Sequence, residues 1–156
     1  MADSTGHGIV QGEKKRRGMR EKSRAAELDA LFSAAAEARR NAHAPYSHFA
    51  VGAAVRSASG RIYSGCNVEN AAYPSGSCAE QVAIAAMVVA GERQIADIAI
   101  LGDAARPVTP CGACRQRIRE FADAQTQIHA GNMAGLRLSL RMEELLPHGF
   151  GRDSLP

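Results

Sequence analysis

No stretch of this sequence is long and apolar enough to cross a bilayer. The longest hydrophobic run, Val82 to Ala90, spans nine residues, where a membrane helix needs roughly 20. It has the size of a buried helix. The first residues contain no apolar h-region, so nothing reads as a secretory signal and a cytoplasmic protein is expected. Cysteine is scarce: Cys66, Cys78, Cys111 and Cys114 are all there are. Without a secretory route these do not read as a disulfide framework, because cytosolic thiols stay reduced. A Cys-x-x-Cys pair in such a chain points to metal binding or catalysis. No internal repeat is visible, and 15 Gly with 6 Pro exclude collagen-like or low-complexity sequence. At 46% hydrophobic and 22% charged, the chain is not disordered throughout. Its 156 residues are enough for one domain.

Lysine is absent after Lys22, and this localises the charge. Residues 1–24 carry seven basic groups (Lys14, Lys15, Arg16, Arg17, Arg20, Lys22, Arg24) against Asp3, Glu13 and Glu21, a balance of +4. The remaining residues hold twelve Arg against thirteen acids, a balance of −1. The net charge of +3 therefore belongs to the N-terminal segment. Residues 1–24 read as a disordered basic extension and 25–156 as the folded domain. Met19 is an alternative start within that extension. A nearly neutral body argues against nucleic acid as a partner, since a polynucleotide groove needs a basic lining.

Hydrophobic spacing gives the elements. Leu28, Leu31, Phe32 and Ala35 recur as one face of a helix over 27–42, closed by Pro45. Val51, Ala53 and Val55 alternate, Ser59-Gly60 turns the chain, and Ile62 to Cys66 continues it, a β-hairpin. A helix over about 78–90 is apolar nearly all round and is expected to be central and buried, with Gly91 ending it. Ile95 to Leu101 is a short strand. Thr109 and Pro110 read as the N-cap and first turn of a helix over about 111–122. Strands near 126–130 and 136–140 follow, then a helical turn at Glu143 to Leu146. This order predicts one sheet covered by helices on both faces.

Three cysteines fall where two of these helices begin. Cys78 opens the central helix, and Cys111 and Cys114 open the next, on a stripe with Ile118 and Phe121 that faces the core. Helix N-termini favour thiolates. Three converging thiolates would hold zinc and leave a fourth position open for water. Glu80, two residues after Cys78, has no role in a purely structural zinc site. Beside an open zinc it can move protons. A ligand-x-Glu segment followed by Pro-Cys-x-x-Cys is the signature of zinc deaminases. Here the two segments are Cys78-Ala79-Glu80 and Pro110 through Cys114. None of the five histidines stands at ligand spacing, and Cys66 reads as a small buried apolar residue.

With those segments the chain resembles the small cytidine deaminases that bind zinc with three cysteines. The likeness extends through Pro45–Ala54, Gly65–Pro74, Pro110–Gln116 and Leu145–Phe150, covering about 27–150. The resemblance implies a three-layer α/β/α fold around a central mixed five-stranded sheet. It implies hydrolytic deamination of cytidine and deoxycytidine in pyrimidine salvage, with one zinc per subunit on Cys78, Cys111 and Cys114 and Glu80 as proton shuttle. Substrate contacts are expected from Phe49 on the pyrimidine, Asn67 and Glu69 on a ribose hydroxyl, Ala79, and, from neighbouring subunits of a homotetramer, Tyr73 and Phe150. A carboxylate with an amide suits a hydroxyl, offering acceptors and donors together.

One position departs from the family pattern. Gln81 stands where an arginine commonly follows the catalytic glutamate. Arginine would offset the −1 charge of zinc with three thiolates. Helix dipoles, or a neighbour such as Arg115, are the candidates to compensate. Activity is expected to survive, and Gln81→Arg to leave turnover equal or improved. A loss beyond about tenfold, roughly 1.4 kcal/mol in barrier, would show that Gln81 is specifically adapted.

Three other functions compete: a deaminase of a modified cytosine nucleoside of the blasticidin type, a polynucleotide deaminase, and a zinc-stabilised binding module without turnover. Glu80 separates the last from the rest.

Overall fold

A computed structural model describes residues 6–135 and 137–156. The chain divides into two compact units, Met1–Ala30 and Leu31–Pro156. The second carries the sheet and every candidate site residue.

Helix α1 runs Gly6–Arg39, so the backbone is helical well before the expected start at residue 27. The anticipated disordered stretch over 1–24 is helical from Gly6 onward, and residues 1–5 lie outside the described residues. Arg, Lys, Glu and Ala are good helix formers, and Arg17 pairs with Glu21 one turn on at 3.0 Å. Low hydrophobicity, the basis of the expectation, excludes a core but not a helix.

Strands β1 (Val51–Ser57) and β2 (Ile62–Cys66) form the expected hairpin, turned at Gly60 with φ +88°. Strand β3 (Ile95–Gly102) pairs antiparallel with β1 and parallel with β4 (Gln127–Asn132). Strand β5 (Arg137–Arg141) pairs antiparallel with β4. The sheet order is β2-β1-β3-β4-β5, the mixed five-stranded sheet implied by the resemblance. Helix α2 (Ala79–Val89) lies against β1 and β2, and α3 (Gly112–Phe121) against α2. A short α4 (Met142–Leu145) follows β5.

Alternation along the strands builds two buried faces. Ala53, Val55, Ile98, Ile100 and Ile128 join Ala83, Ile84 and Met87 of α2 and Ile118 of α3 in one core. On the other face Gly131 lies against the Phe32 ring, and Gly52 against the Ala35 carbonyl. Within this unit the layers are therefore the 31–39 part of α1, the sheet, then α2 with α3.

Two glycines set how closely helices approach the sheet. A Cβ on Gly52 would lie 1.9 Å from the Ala35 oxygen, and one on Gly65 would lie 2.5 Å from the Ala83 nitrogen and 2.8 Å from the Ala79 oxygen. The Gly65 contact is backbone on backbone, so nothing can rotate away. Gly65→Ala is expected to cost about 2–3 kcal/mol and lower Tm by roughly 5–10 °C in a thermal melt. An unchanged Tm would mean that α2 is free to shift.

Helix α2 closes as expected. Gly91 takes φ +89°, its N–H donates to Val88 O, and Glu92 N–H donates to Met87 O, the paired bonds of a Schellman ending. Its expected burial on all sides is corrected. Ala79, Glu80, Ala83, Ile84 and Met87 are buried, but Val89 is 89% exposed. On α2, Ala85 and Val89 mark an exposed side.

Candidate zinc centre and nucleoside cleft

Cys78 and Cys111 are the N-cap residues of α2 and α3, both with extended backbone and neither using its side chain to cap. The thiols are thereby left free to meet. This corrects the start of α3: Thr109 and Pro110 precede the cap, and Cys111 holds it. Cys114 follows in the first turn of α3 and is fully buried, whereas Cys111 is exposed. Only one of the two thiols expected to face the core therefore lies in it.

The Cys78 and Cys111 sulfurs are 3.8 Å apart, and all three Sγ atoms lie within 4.8 Å of one another. A tetrahedral zinc with Zn–S near 2.3 Å separates its sulfurs by about 3.8 Å. The donor set also calls for a cation. Burial pushes the Cys78 and Cys114 thiols up, and Glu80 and the neighbouring cysteines push Cys114 further. Burial opposes the Cys111 thiolate too, but hydrogen bonds from Cys114 and Cys78 outweigh it and pull that thiol below its ordinary value. Three thiolates in this space need a positive charge among them. The site fits zinc, and Cys66 lies outside the cluster.

Glu80 occupies the first turn of α2 and is 5% exposed. Burial raises its carboxyl above the usual range; its own backbone N–H, the Cys114 thiol and the charge of Arg117 act the other way. Arg115, the neighbour named as a candidate to compensate for Gln81, is held by two backbone carbonyls. Its guanidinium donates to Pro110 O at 3.0 Å and Leu145 O at 3.1 Å, tying the loop before Cys111 to α4. The arginine whose charge acts on Glu80 is Arg117.

A cleft of about 480 Å³ adjoins Cys78, lined by Asn67, Glu69 and Tyr73 together with Tyr46, Ser47 and Asn70, among others. Phe49, Ala79, Glu80, Cys111, Cys114 and Phe150 do not line it. Phe49 lies across Gly102. Ala79 is buried under Gly65. Phe150 is anchored by its backbone, its carbonyl accepting from Gln116 Nε2 at 2.9 Å, while the residue is 59% exposed.

Asn67 and Glu69 have partners within the chain. Asn67 Oδ1 accepts from Val51 N–H and Nδ2 donates to Phe49 O, both at 2.9 Å. Glu69 accepts from Tyr46 N–H at 2.9 Å, from Ser47 N–H at 3.2 Å and from the Ser47 hydroxyl. Tyr46 and Ser47 were not singled out from sequence as site residues. Tyr46 also meets Tyr73 edge-on, with ring centroids 5.9 Å apart. Their position three and two residues before Phe49 was the available signal.

Comparison with known proteins fits this geometry. Residues 25–130 match the family model described as the cytidine and deoxycytidylate deaminase zinc-binding region. A cytidine deaminase of Halalkalibacterium halodurans is 40% identical over 125 residues, covering 80% of this chain and 95% of that one. The crystal structure of cytidine deaminase from Burkholderia pseudomallei superposes with TM-score 0.76 at 42% identity, covering 78% of this chain and 98% of that one. That of Mycobacterium tuberculosis gives 0.70 at 34%, covering 80% and 97%. The fold and the three-thiol site thus define a zinc-dependent hydrolytic deaminase. The chain belongs to the cytidine and deoxycytidylate deaminase family.

Proposed function

We propose that the enzyme deaminates cytidine and deoxycytidine, consuming water and releasing ammonia with uridine or deoxyuridine. The observation that carries this is Glu80, a buried carboxyl in the first turn of the helix that Cys78 caps. When bound, zinc supplies Lewis acidity and a water that ionises near neutral pH. Glu80 delivers a proton to ring N3 of the pyrimidine and afterwards carries one to the leaving amine. The burial that raises its carboxyl brings it closer to a pKa suited to that exchange.

Phe49 and Ala79 bound the base, and Asn67 and Glu69 bind a sugar hydroxyl. Among the described residues lining the cleft, none is Lys or Arg. That lining favours an uncharged nucleoside over a nucleotide or a polynucleotide. Tyr73, 76% exposed, and Phe150 reach toward neighbouring subunits of a homotetramer, which the exposed side of α2 supports.

The catalytic unit begins near residue 25, where the family match begins, and the basic segment before it is an extension. No described helix is long and apolar enough to cross a membrane. All four cysteines are unpaired, which suits the reducing cytoplasm and a role in pyrimidine salvage.

The test is ammonia release by zinc-loaded protein given cytidine, deoxycytidine, cytidine monophosphate, blasticidin and a cytosine oligonucleotide. Turnover of the two free nucleosides is expected. Activity confined to blasticidin or the oligonucleotide would replace this reading.

A further inference from the structure

A carboxylate offers about four lone-pair sites, and Glu69 spends three of its sites within the chain. Its Oε2 accepts from the backbone N–H groups of Tyr46 and Ser47, and its Oε1 accepts from the Ser47 hydroxyl. Ser47 Oγ itself accepts from Phe49 N–H at 3.0 Å. A backbone N–H can only donate, so the Ser47 proton is directed at Glu69. Every bond in the series from Phe49 through Ser47 to Glu69 therefore has one polarity. Glu69 keeps one accepting site on Oε1 and has no proton to offer. Both Glu69 and Ser47 line the cleft.

The backbone adds a second, independent observation. His48, between the two ends of the Ser47–Phe49 bond, has φ 56°, a left-handed conformation uncommon outside glycine. Such a conformation persists where its surroundings over-determine it. Here Ser47 holds it from one side. Asn67, bound to Phe49 O and Val51 N–H, holds it from the other. The same Ser47 hydroxyl donates to the Glu69 carboxylate.

We infer that Ser47 is a positioning residue that presets Glu69 as an acceptor, and thereby makes the enzyme select nucleosides whose sugar donates a free hydroxyl. This rests on the reading of Glu69 as a sugar contact. The Ser47 hydroxyl is also the main influence holding the Glu69 carboxyl below its ordinary value. A carboxyl kept ionised cannot become a donor, so a sugar lacking the hydroxyl forfeits a hydrogen bond to a charged acceptor.

The experiment compares cytidine with 2′,3′-dideoxycytidine for the zinc-loaded wild type, Ser47→Ala, Ser47→Cys, Ser47→Thr and Glu69→Gln. Ser47→Ala and Ser47→Cys should raise KM for cytidine about tenfold, the effect of loosening one hydrogen bond to a charged group. Turnover should stay within about twofold, and dideoxycytidine should be unaffected. The ratio of kcat/KM between the two nucleosides then contracts about tenfold, and Ser47→Thr restores it. Glu69→Gln should contract it at least as far. Equal losses on both nucleosides, or none, in the serine variants would reduce Ser47 to loop scaffolding and overturn the inference. An unchanged ratio in Glu69→Gln would instead remove the sugar reading of Glu69, and the inference with it. Ser47→Cys preserves side-chain size, so it decides the matter if Ser47→Ala fails to fold.

Discussion

Replacing Glu80 with glutamine should lower turnover of cytidine by about 10²–10⁴-fold, the range supplied by a positioned general acid–base. Glutamine keeps the shape of the side chain and can still hydrogen bond, but it cannot take up and release a proton. The variant should fold normally, because a neutral amide replaces a buried carboxyl that burial already drives toward its neutral form. Zinc content should remain one per subunit, since Glu80 is not among the clustered thiols. The measurement pairs ammonia release with atomic absorption on the same dialysed sample. A loss below tenfold with zinc in place would remove Glu80 from the chemistry and revive the reading of a zinc-stabilised module.

Cys114→Ser should abolish activity by a different route. The serine hydroxyl does not ionise near neutral pH, so the site loses one of three thiolates. Metal affinity should fall by more than the roughly 10–100-fold that removing a ligand's own hydrogen-bond partner costs. Zinc retained after dialysis should drop below about 0.1 per subunit. The core cluster around Ile98, Ile100 and Ile118 includes none of the three thiols, so the chain should stay folded with a lowered Tm. Burying a hydroxyl at a fully buried position adds about 1–3 kcal/mol of destabilisation if it finds no partner. Cys66→Ala is the control and should retain both zinc and turnover. Full zinc and activity in Cys114→Ser would mean that the cluster is not the metal site.

The three-cysteine cluster and the place of Glu80 in the first turn of α2 were legible because their signal is short-range: two segments at helix starts, each with a chemical reason for its spacing. The strands were legible for a similar reason. Val51, Ala53 and Val55 alternate, and the intervening Gly52 and Ala54 are small because a helix packs on that side as well. The start of α3 was misplaced because Thr109-Pro110 imitates a cap, whereas the true cap position belongs to Cys111, whose thiol turns toward Cys78. Composition said nothing of helix over Gly6–Arg24, since helix propensity and core formation are separate properties. Ser47 and Tyr46 were missed because their role arises between positions over twenty residues apart, at Glu69. Sequence spacing does not separate Arg115 from Arg117. Only their surroundings assign one to backbone carbonyls and the other to the charge near Glu80.

The contact at Gly65 has a consequence for how such an enzyme can change over time. The first turns of α2 rest close on the backbone of β2 at Gly65, through the Ala83 nitrogen, the Ala79 oxygen and the Val82 Cβ. The positions of Cys78 and Glu80 are thus gauged from main chain to main chain, like a shim between two plates. Aliphatic residues deeper in the core, such as Ile84, Met87 and Ile98, can be exchanged for others of similar volume without moving that gauge. Stability can drift in this molecule while the reacting groups keep their places.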